Sequence, residues 1–307
     1  MNYKDSTCYL RNAFIPFRDA NLSIASSPIL YGLSVYTTAS ANWNEKQQKM
    51  YVFRLHDHHT RLVNSAKIMD FYDFIKNWPY ERYEKIVLQL LQKNKTKEDV
   101  LIRSTVFVDE LLAGTKMTGL ANSFSAFVYP LGEFLPQSGA HACVSSWQRT
   151  PDNAIPSRAK VNGSYANASL MKNEAILNGY DEAISLDEHG HVAEGTVANL
   201  FIVRDGVLIT PDSATDILEG ITRDSIFRLA QEAGIPCQER TIDRSELYIA
   251  DEMFMSGSSA RITPILSVDK RTIGTGKSGK LTKKLMTKYE ASQRGSTTSF
   301  AHWRQAV

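Results

Sequence analysis

The chain has 307 residues, 43% of them hydrophobic and 22% charged, with a formal net charge of +2 at pH 7. That length exceeds a single usual core and suggests two domains. The composition is that of a globular protein, and its near-neutral charge gives no basic field for nucleic acid or a membrane surface. No apolar run approaches the ~18 residues of a membrane span. The first residues, Met1 to Asp5, lack a signal-like apolar region. Cys8, Cys143 and Cys237 are too few and too scattered for a disulfide framework or a zinc site, so they are expected to be small buried hydrophobes in a reducing cytoplasm.

In chain order, the segments C-Y-L-R-N-A-F-I-P-F and L-S-V-Y-T-T-A-S-A read as strands, as does Met50 to Phe53. Leu55, Leu62, Ala66 and Met69 recur at helical spacing, predicting a helix from Leu55 to Phe71 that carries Arg61. A second helix, from Tyr80 to about Lys93, has the apolar stripe Tyr83, Ile86, Val87, Leu90 and Leu91. Val100 to Val108 and Ser123 to Tyr129 are further strands. The first half is therefore α+β, a sheet with two helices inserted. Pro130 to Gly139, P-L-G-E-F-L-P-Q-S-G, has linker composition. The expected division is a small α+β domain over 1–130, a linker over 131–139 and a large domain over 140–307.

The large domain opens with a strand from Ala140 to Trp147. A turn-rich segment follows, then a helix from near Asn162 to about Asn178, and then the strand pair E-A-I-S-L-D and H-V-A-E-G. N-L-F-I-V-R and V-L-I-T-P flank Asp205-Gly206, a hairpin signal. Gly220 to Ala233 reads as a helix with Thr222 as its N-cap and Gly234 ending it. Strands near Glu252 to Met255 and Ile262 to Val268 precede a helix from about Lys280.

Two patterns look like chemistry and fail on spacing. His56, Asp57, His58 and His59 fan around a helix instead of converging on a metal, so a solvated helix start is expected. Gly276-Lys277-Ser278 resembles a phosphate loop, but Arg271 stands where the first glycine belongs, which leaves a basic surface turn.

The run from Arg158 to Tyr165, R-A-K-V-N-G-S-Y, is different. Lys160 sits where loop gives way to scaffold, a place where a lysine can be held rigidly, partly dried and turned into a nucleophile. Downstream come Tyr165, then G-H-V-A-E-G-T-V-A-N-L-F with Glu194 and Asn199, then L-E-G-I-T-R-D with Ile221 and Thr222, then F-M-S-G-S-S-A-R-I-T-P with Ser258 and Ser259. Four separated blocks in this order resemble the fold type IV pyridoxal-phosphate enzymes, the class IV aminotransferases, and within them the branched-chain aminotransferases most closely. The resemblance runs from about Leu30 to Lys284. It implies a two-domain α+β / α/β fold of the D-amino acid aminotransferase type.

The resemblance also implies site roles. Lys160 would hold pyridoxal 5′-phosphate as a Schiff base and shuttle the substrate α-proton. Glu194 would keep the pyridine nitrogen protonated, with Asn199 in the same cofactor-binding set. Tyr165 would hydrogen-bond the phenolic oxygen of the cofactor. Ile221 and Thr222 would meet the phosphate at a helix start, together with the forked donor Arg61 of the first domain. That arrangement puts the cofactor between the two domains. The turn at Ser258 and Ser259 would meet the substrate carboxylate; Ser258 belongs to the cofactor-binding set as well. Arg103 would receive the side-chain carboxylate of glutamate, and Tyr31 would reach a neighbouring subunit's pocket in a homodimer. The implied reaction passes an amino group between a branched-chain L-amino acid and 2-oxoglutarate.

One strand departs from the branched-chain pattern. After Y-G-x-S-V those enzymes read F-E-G-I-R, whereas this chain reads Tyr36-Thr37-Thr38-Ala39-Ser40. Tyr36 and Thr38 are thus candidate substrate-contacting residues. The T-T-A run resembles 4-amino-4-deoxychorismate lyases, so lyase chemistry, or transamination of D-amino acids or (R)-amines, is the alternative on the same fold. A non-catalytic cofactor-binding protein is a third reading, opposed by the joint presence of Lys160, Glu194, Tyr165 and Arg61. Leu101 and Phe134 stand where tyrosines are common, and two missing hydroxyls suggest altered carboxylate recognition.

Overall fold

The computed structural model describes residues 3–112 and 114–307. The chain forms two compact units. The first comprises 1–131, 159–164 and 291–307, and the second comprises 132–158 and 165–290.

In the first unit, the hairpin of β1 (Thr7–Leu10) and β2 (Ala13–Pro16) leads through the short helix α1 (Ser27–Tyr31) into the long strand β3 (Ser34–Asn44). β4 (Lys49–Phe53), α2 (Leu55–Ile68), α3 (Tyr72–Asn77), α4 (Tyr80–Asn94), β5 (Val100–Val108) and β6 (Asn122–Pro130) follow. The seven-stranded sheet runs in the order Arg304–Ala306, β4, β3, β5, β6, β1, β2, and every pairing in it is antiparallel. α2 buries Leu55, Leu62 and Ala66, and α4 buries Tyr83, Val87, Leu90 and Leu91, as their periodicity predicts. Each such aliphatic side chain contributes about 1.5–3 kcal/mol by leaving water. Phe74, Trp78, Tyr83 and Phe124 form an aromatic cluster in this core, with the Trp78 and Phe124 ring centroids 4.4 Å apart.

β3 positions the site. Successive side chains of a strand point to opposite faces, so Thr37, whose hydroxyl meets His58 of α2 at 2.8 Å, marks the helix side. Tyr36, Thr38 and Ser40 share the other face. Thr38 lies directly across from Arg103 on β5, and Leu101 on β5 lies across from Tyr129 on β6.

The second unit contains β7 (Ala140–Val144), α5 (Tyr165–Leu177), β8 (Glu182–Leu186), β9 (Val192–Gly195), β10 (Asn199–Arg204), β11 (Val207–Thr210), α6 (Ile221–Glu232), β12 (Cys237–Glu239), α7 (Arg244–Leu247), β13 (Glu252–Gly257), β14 (Arg261–Val268), β15 (Arg271–Thr272) and α8 (Lys280–Arg294). Its nine-stranded sheet runs β12-β11-β10-β13-β14-β7-β8-β9, with β15 on β14. β9 also pairs with β10, which closes the path from β10 to β9 into a ring. β7 is parallel to both β8 and β14 in an otherwise mostly antiparallel sheet. The β10–β11 turn has Asp205 at φ 51° and Gly206 at φ 76°, the left-handed pair that a two-residue hairpin of this twist requires.

Several details differ from the sequence expectations. Where one uninterrupted domain was expected from 140 onward, the contacts assign 159–164 and 291–307 to the first unit. The reason is local: Tyr36 N–H donates to Lys160 O at 3.0 Å, Asn162 N–H donates to Ser34 O at 2.9 Å, and Val161 bridges Val35. α5 begins at Tyr165 instead of near Asn162, because those preceding residues are occupied in this pairing. Gly220, not Thr222, is the N-cap of α6, and Thr222 lies inside the first turn. His58 and His59 are buried instead of solvated, their rings bonded to Thr37 Oγ1 and to Trp78 O. No helix among the described residues is long and apolar enough to cross a membrane.

Candidate active site

Lys160 is held by its backbone from two sides. Its carbonyl accepts from β3 as above, and its N–H donates to Ser65 Oγ of α2 at 3.1 Å. The ammonium lies 5.0 Å from the centroid of the Tyr36 ring, so the amine emerges on the Tyr36–Thr38 face of the sheet. Two glycines permit this. A Cβ on Gly32, which has φ 69°, would come within 2.7 Å of Gly163 Cα, so the Y-G turn before β3 and the N-G step after Lys160 touch backbone to backbone.

Beneath that face, Arg61 Nη2 donates to Thr37 Oγ1 at 3.2 Å, and the same hydroxyl meets His58 Nδ1. Burial pushes the His58 imidazole well below its usual range, and the positive charges of Arg61, Arg54 and Lys160 add to the effect. The ring is therefore neutral, and it fixes Thr37 and Arg61 without adding another charge.

On the open face, the Arg103 guanidinium stacks on Tyr36, 3.4 Å from the ring centroid, and donates through Nη2 to Asn162 Oδ1. Tyr129 faces the same group. Burial raises the pKa of its phenol, and the Arg103 charge opposes that shift. The hydroxyl missing at Leu101 thus has a neighbour on the adjacent strand at the same row of the sheet. Tyr31 ends α1 and is 45% exposed, beside exposed Ile29 and Leu30.

In the second unit, the buried Glu194 carboxylate accepts from Arg149 Nη2 at 2.9 Å, Asn199 Nδ2 at 2.8 Å and Leu218 N–H at 3.3 Å. Asn199 spends its second N–H on Leu218 O at 2.9 Å, so it orients Glu194 and ties it to the chain entering α6. That entry is tight, since a Cβ on Gly220 would lie 2.0 Å from Asn199 Oδ1. With glycine at the cap, no side chain caps α6, and the buried Thr222 hydroxyl lies 3.3 Å from Tyr289 Oη. Tyr165 opens α5, partly buried against the cluster of Cys143, Ala168 and Met171. Ser258 and Ser259 form the turn between β13 and β14.

A sequence profile of the family described as "Amino-transferase class IV" matches residues 34–268. The chain belongs to the class IV aminotransferases. A "Probable branched-chain-amino-acid aminotransferase" from Aquifex aeolicus is 37% identical over 302 residues, 97% of this chain and 96% of that protein. The crystal structure of a branched-chain aminotransferase from Thermoproteus uzoniensis with norvaline superposes with a TM-score of 0.92 at 36% identity, covering 98% of this chain and 99% of that one. A branched-chain amino acid aminotransferase from Thermobaculum terrenum, in its PLP form, matches with a TM-score of 0.92 at 31% identity, covering 99% of each.

The residues of this class IV aminotransferase fit a phosphorylated pyridine. α6 opens on a glycine cap, so its first turn brings backbone N–H groups of the kind a phosphate takes. One asparagine away stands a fixed carboxylate, as a protonated ring nitrogen requires. Arg149, Asn162 and Tyr129 were not singled out in the sequence. Only their neighbours, distant in the chain, give them away.

Proposed function

We propose that the chain is a pyridoxal 5′-phosphate-dependent aminotransferase. It passes an amino group between a branched-chain L-amino acid (leucine, isoleucine or valine) and 2-oxoglutarate, giving the branched-chain 2-oxo acid and L-glutamate. One observation carries this: similarity to branched-chain aminotransferases extends over almost the whole chain, including the block around Lys160. When bound, the cofactor supplies an electron sink for the substrate carbanion. Lys160 would anchor the cofactor and take up and return the substrate α-proton, for which its backbone-pinned position is suited. Glu194 keeps the ring nitrogen protonated, and Arg149 and Asn199 keep that carboxylate from turning away. Ile221, Thr222 and Arg61 serve the phosphate, and Tyr165 the phenolic oxygen. The turn at Ser258 and Ser259 serves the substrate carboxylate, with Ser258 also in the cofactor set. Tyr36, Thr38 and Arg103 line the wall against the substrate side chain.

The enzyme works as a cytoplasmic homodimer in this reading. Ile24, Ile29, Leu30 and Tyr31 are exposed together with Leu111 and Leu112, and the two segments are joined through the Ser26–Leu111 bridge and the Leu112 N–H to Ala25 O bond. An apolar patch of this kind suits burial against a second copy, which is how Tyr31 would reach a partner's pocket.

Spectroscopy tests the reaction. Leucine or valine added to the cofactor-loaded protein should bleach its visible absorption band, and 2-oxoglutarate should restore it. Failure of every branched-chain donor would reject the substrate assignment. Sedimentation at micromolar concentration should show a dimer, and charge introduced at Leu112 should dissociate it.

A further inference from the structure

A transaminase that alternates between an apolar side chain and an acidic one faces a problem of charge. The guanidinium that greets the acid must remain in the wall while leucine occupies the same space, where an unpartnered cation is costly. Arg103 meets this with two neutral partners, the face of Tyr36 and the amide oxygen of Asn162. Among the described residues no carboxylate pairs with it.

Asn162 is itself built in. Its Nδ2 donates to the buried Ser34 Oγ at 2.8 Å, and its backbone N–H donates to Ser34 O at 2.9 Å. These bonds fix which way the amide points. With the NH₂ group given to a hydroxyl that can accept, the oxygen is turned toward the guanidinium; the flipped amide would set donor against donor.

We infer that Asn162 is a positioning residue that sets the acidic-substrate preference, holding Arg103 flat on Tyr36 through a neutral acceptor so that the cation stays open to a substrate carboxylate. The inference rests on the transamination proposed above. A neutral amide occupies one of the five guanidinium N–H groups and leaves the charge uncompensated, so the side chain of glutamate or 2-oxoglutarate is the only anion presented to it. When leucine is bound, the same amide and ring keep the guanidinium solvated by protein and out of the apolar space. A carboxylate at 162 would act in the opposite sense, pairing with Arg103 permanently and competing with the substrate.

Two variants and two readouts decide it. In Asn162→Asp, the ratio of kcat/KM for the glutamate half-reaction to that for the leucine half-reaction should fall by about tenfold or more. The affinity for glutarate, a dicarboxylate with no amino group to react, should fall in parallel by calorimetry on the holoenzyme. In Asn162→Ala, Arg103 loses its direction but keeps its charge, so the same ratio and the same affinity should fall only about threefold. A loss shared equally by leucine and glutamate, or a ratio and a glutarate affinity within twofold of wild type in both variants, would overturn the inference and reduce Asn162 to a loop anchor. If the wild-type enzyme uses glutamate but no branched-chain donor, the proposed function fails while glutarate binding still judges Asn162.

Discussion

In the second unit the Glu194 carboxylate is clasped by Arg149, Asn199 and a backbone N–H, while in the first unit Tyr36 and Thr38 share an open sheet face with Arg103, which among the described residues has only neutral partners. On the proposed function the first set of groups answers to the atoms of a cofactor, which are the same in every turnover. The second answers to a side chain that changes between half-reactions. Groups that serve an invariant partner leave little freedom in residue type. A wall that serves two partners can draw its polar groups from neighbouring strands because the sheet register keeps them on one face, as it pairs Leu101 with Tyr129. Lesions in the cofactor groups should therefore affect all substrates alike, and lesions in the wall should change the ratio between them.

The sharpest way to break this comparison is Lys160→Ala. Transamination should fall on the order of 10⁴-fold for every donor. The thermal midpoint should barely move, since the backbone bonds at 160 survive. Glu194→Gln should lower kcat by roughly 10²–10³-fold, equally for leucine and glutamate in steady-state assays; a selective loss for one of them would merge the two classes of residue. Tyr129→Phe, which removes a hydroxyl beside the Arg103 guanidinium, should instead shift the specificity ratio away from 2-oxoglutarate by about threefold, with the change seen mainly in KM.

The smallest effect concerns the layer beneath the wall. His58 stays neutral in the fold, whereas its unfolded counterpart takes a proton below about pH 6.5. Its depressed pKa means that stability is retained above that value and lost as pH falls through it, by up to about 1.4 kcal/mol per pH unit. His59, lowered first by burial, adds in the same direction. Melting curves between pH 7.5 and 5.5 should show the decline, and His58→Gln should flatten it without changing the substrate ratio.

Much of this was legible in the sequence where one element encodes its own boundaries. β5 runs from Val100 to Val108 as its apolar run between Asp99 and Asp109 predicts, and Asp205-Gly206 forms its turn because both residues tolerate a left-handed backbone. What stayed hidden depends on a neighbour far along the chain. The strand Arg304–Ala306 is too short and polar to announce itself, and it exists because β4 offers an edge. His58 and His59 looked solvated because helical spacing reports a face, not what covers it. Arg149 lies 45 residues from Glu194 in the numbering and Arg103 lies 59 from Asn162, and no local pattern encodes either pairing.

β3 carries a lesson for engineering. On the proposed function Tyr36 and Thr38 look toward the reacting molecule, whereas Thr37 looks toward the helix beneath the sheet and Ser40 is held by Gln293 and Asn42. A library meant to retune which amine the enzyme accepts should vary positions 36 and 38 alone. Randomising the other two would cull clones for insolubility before selectivity was ever screened.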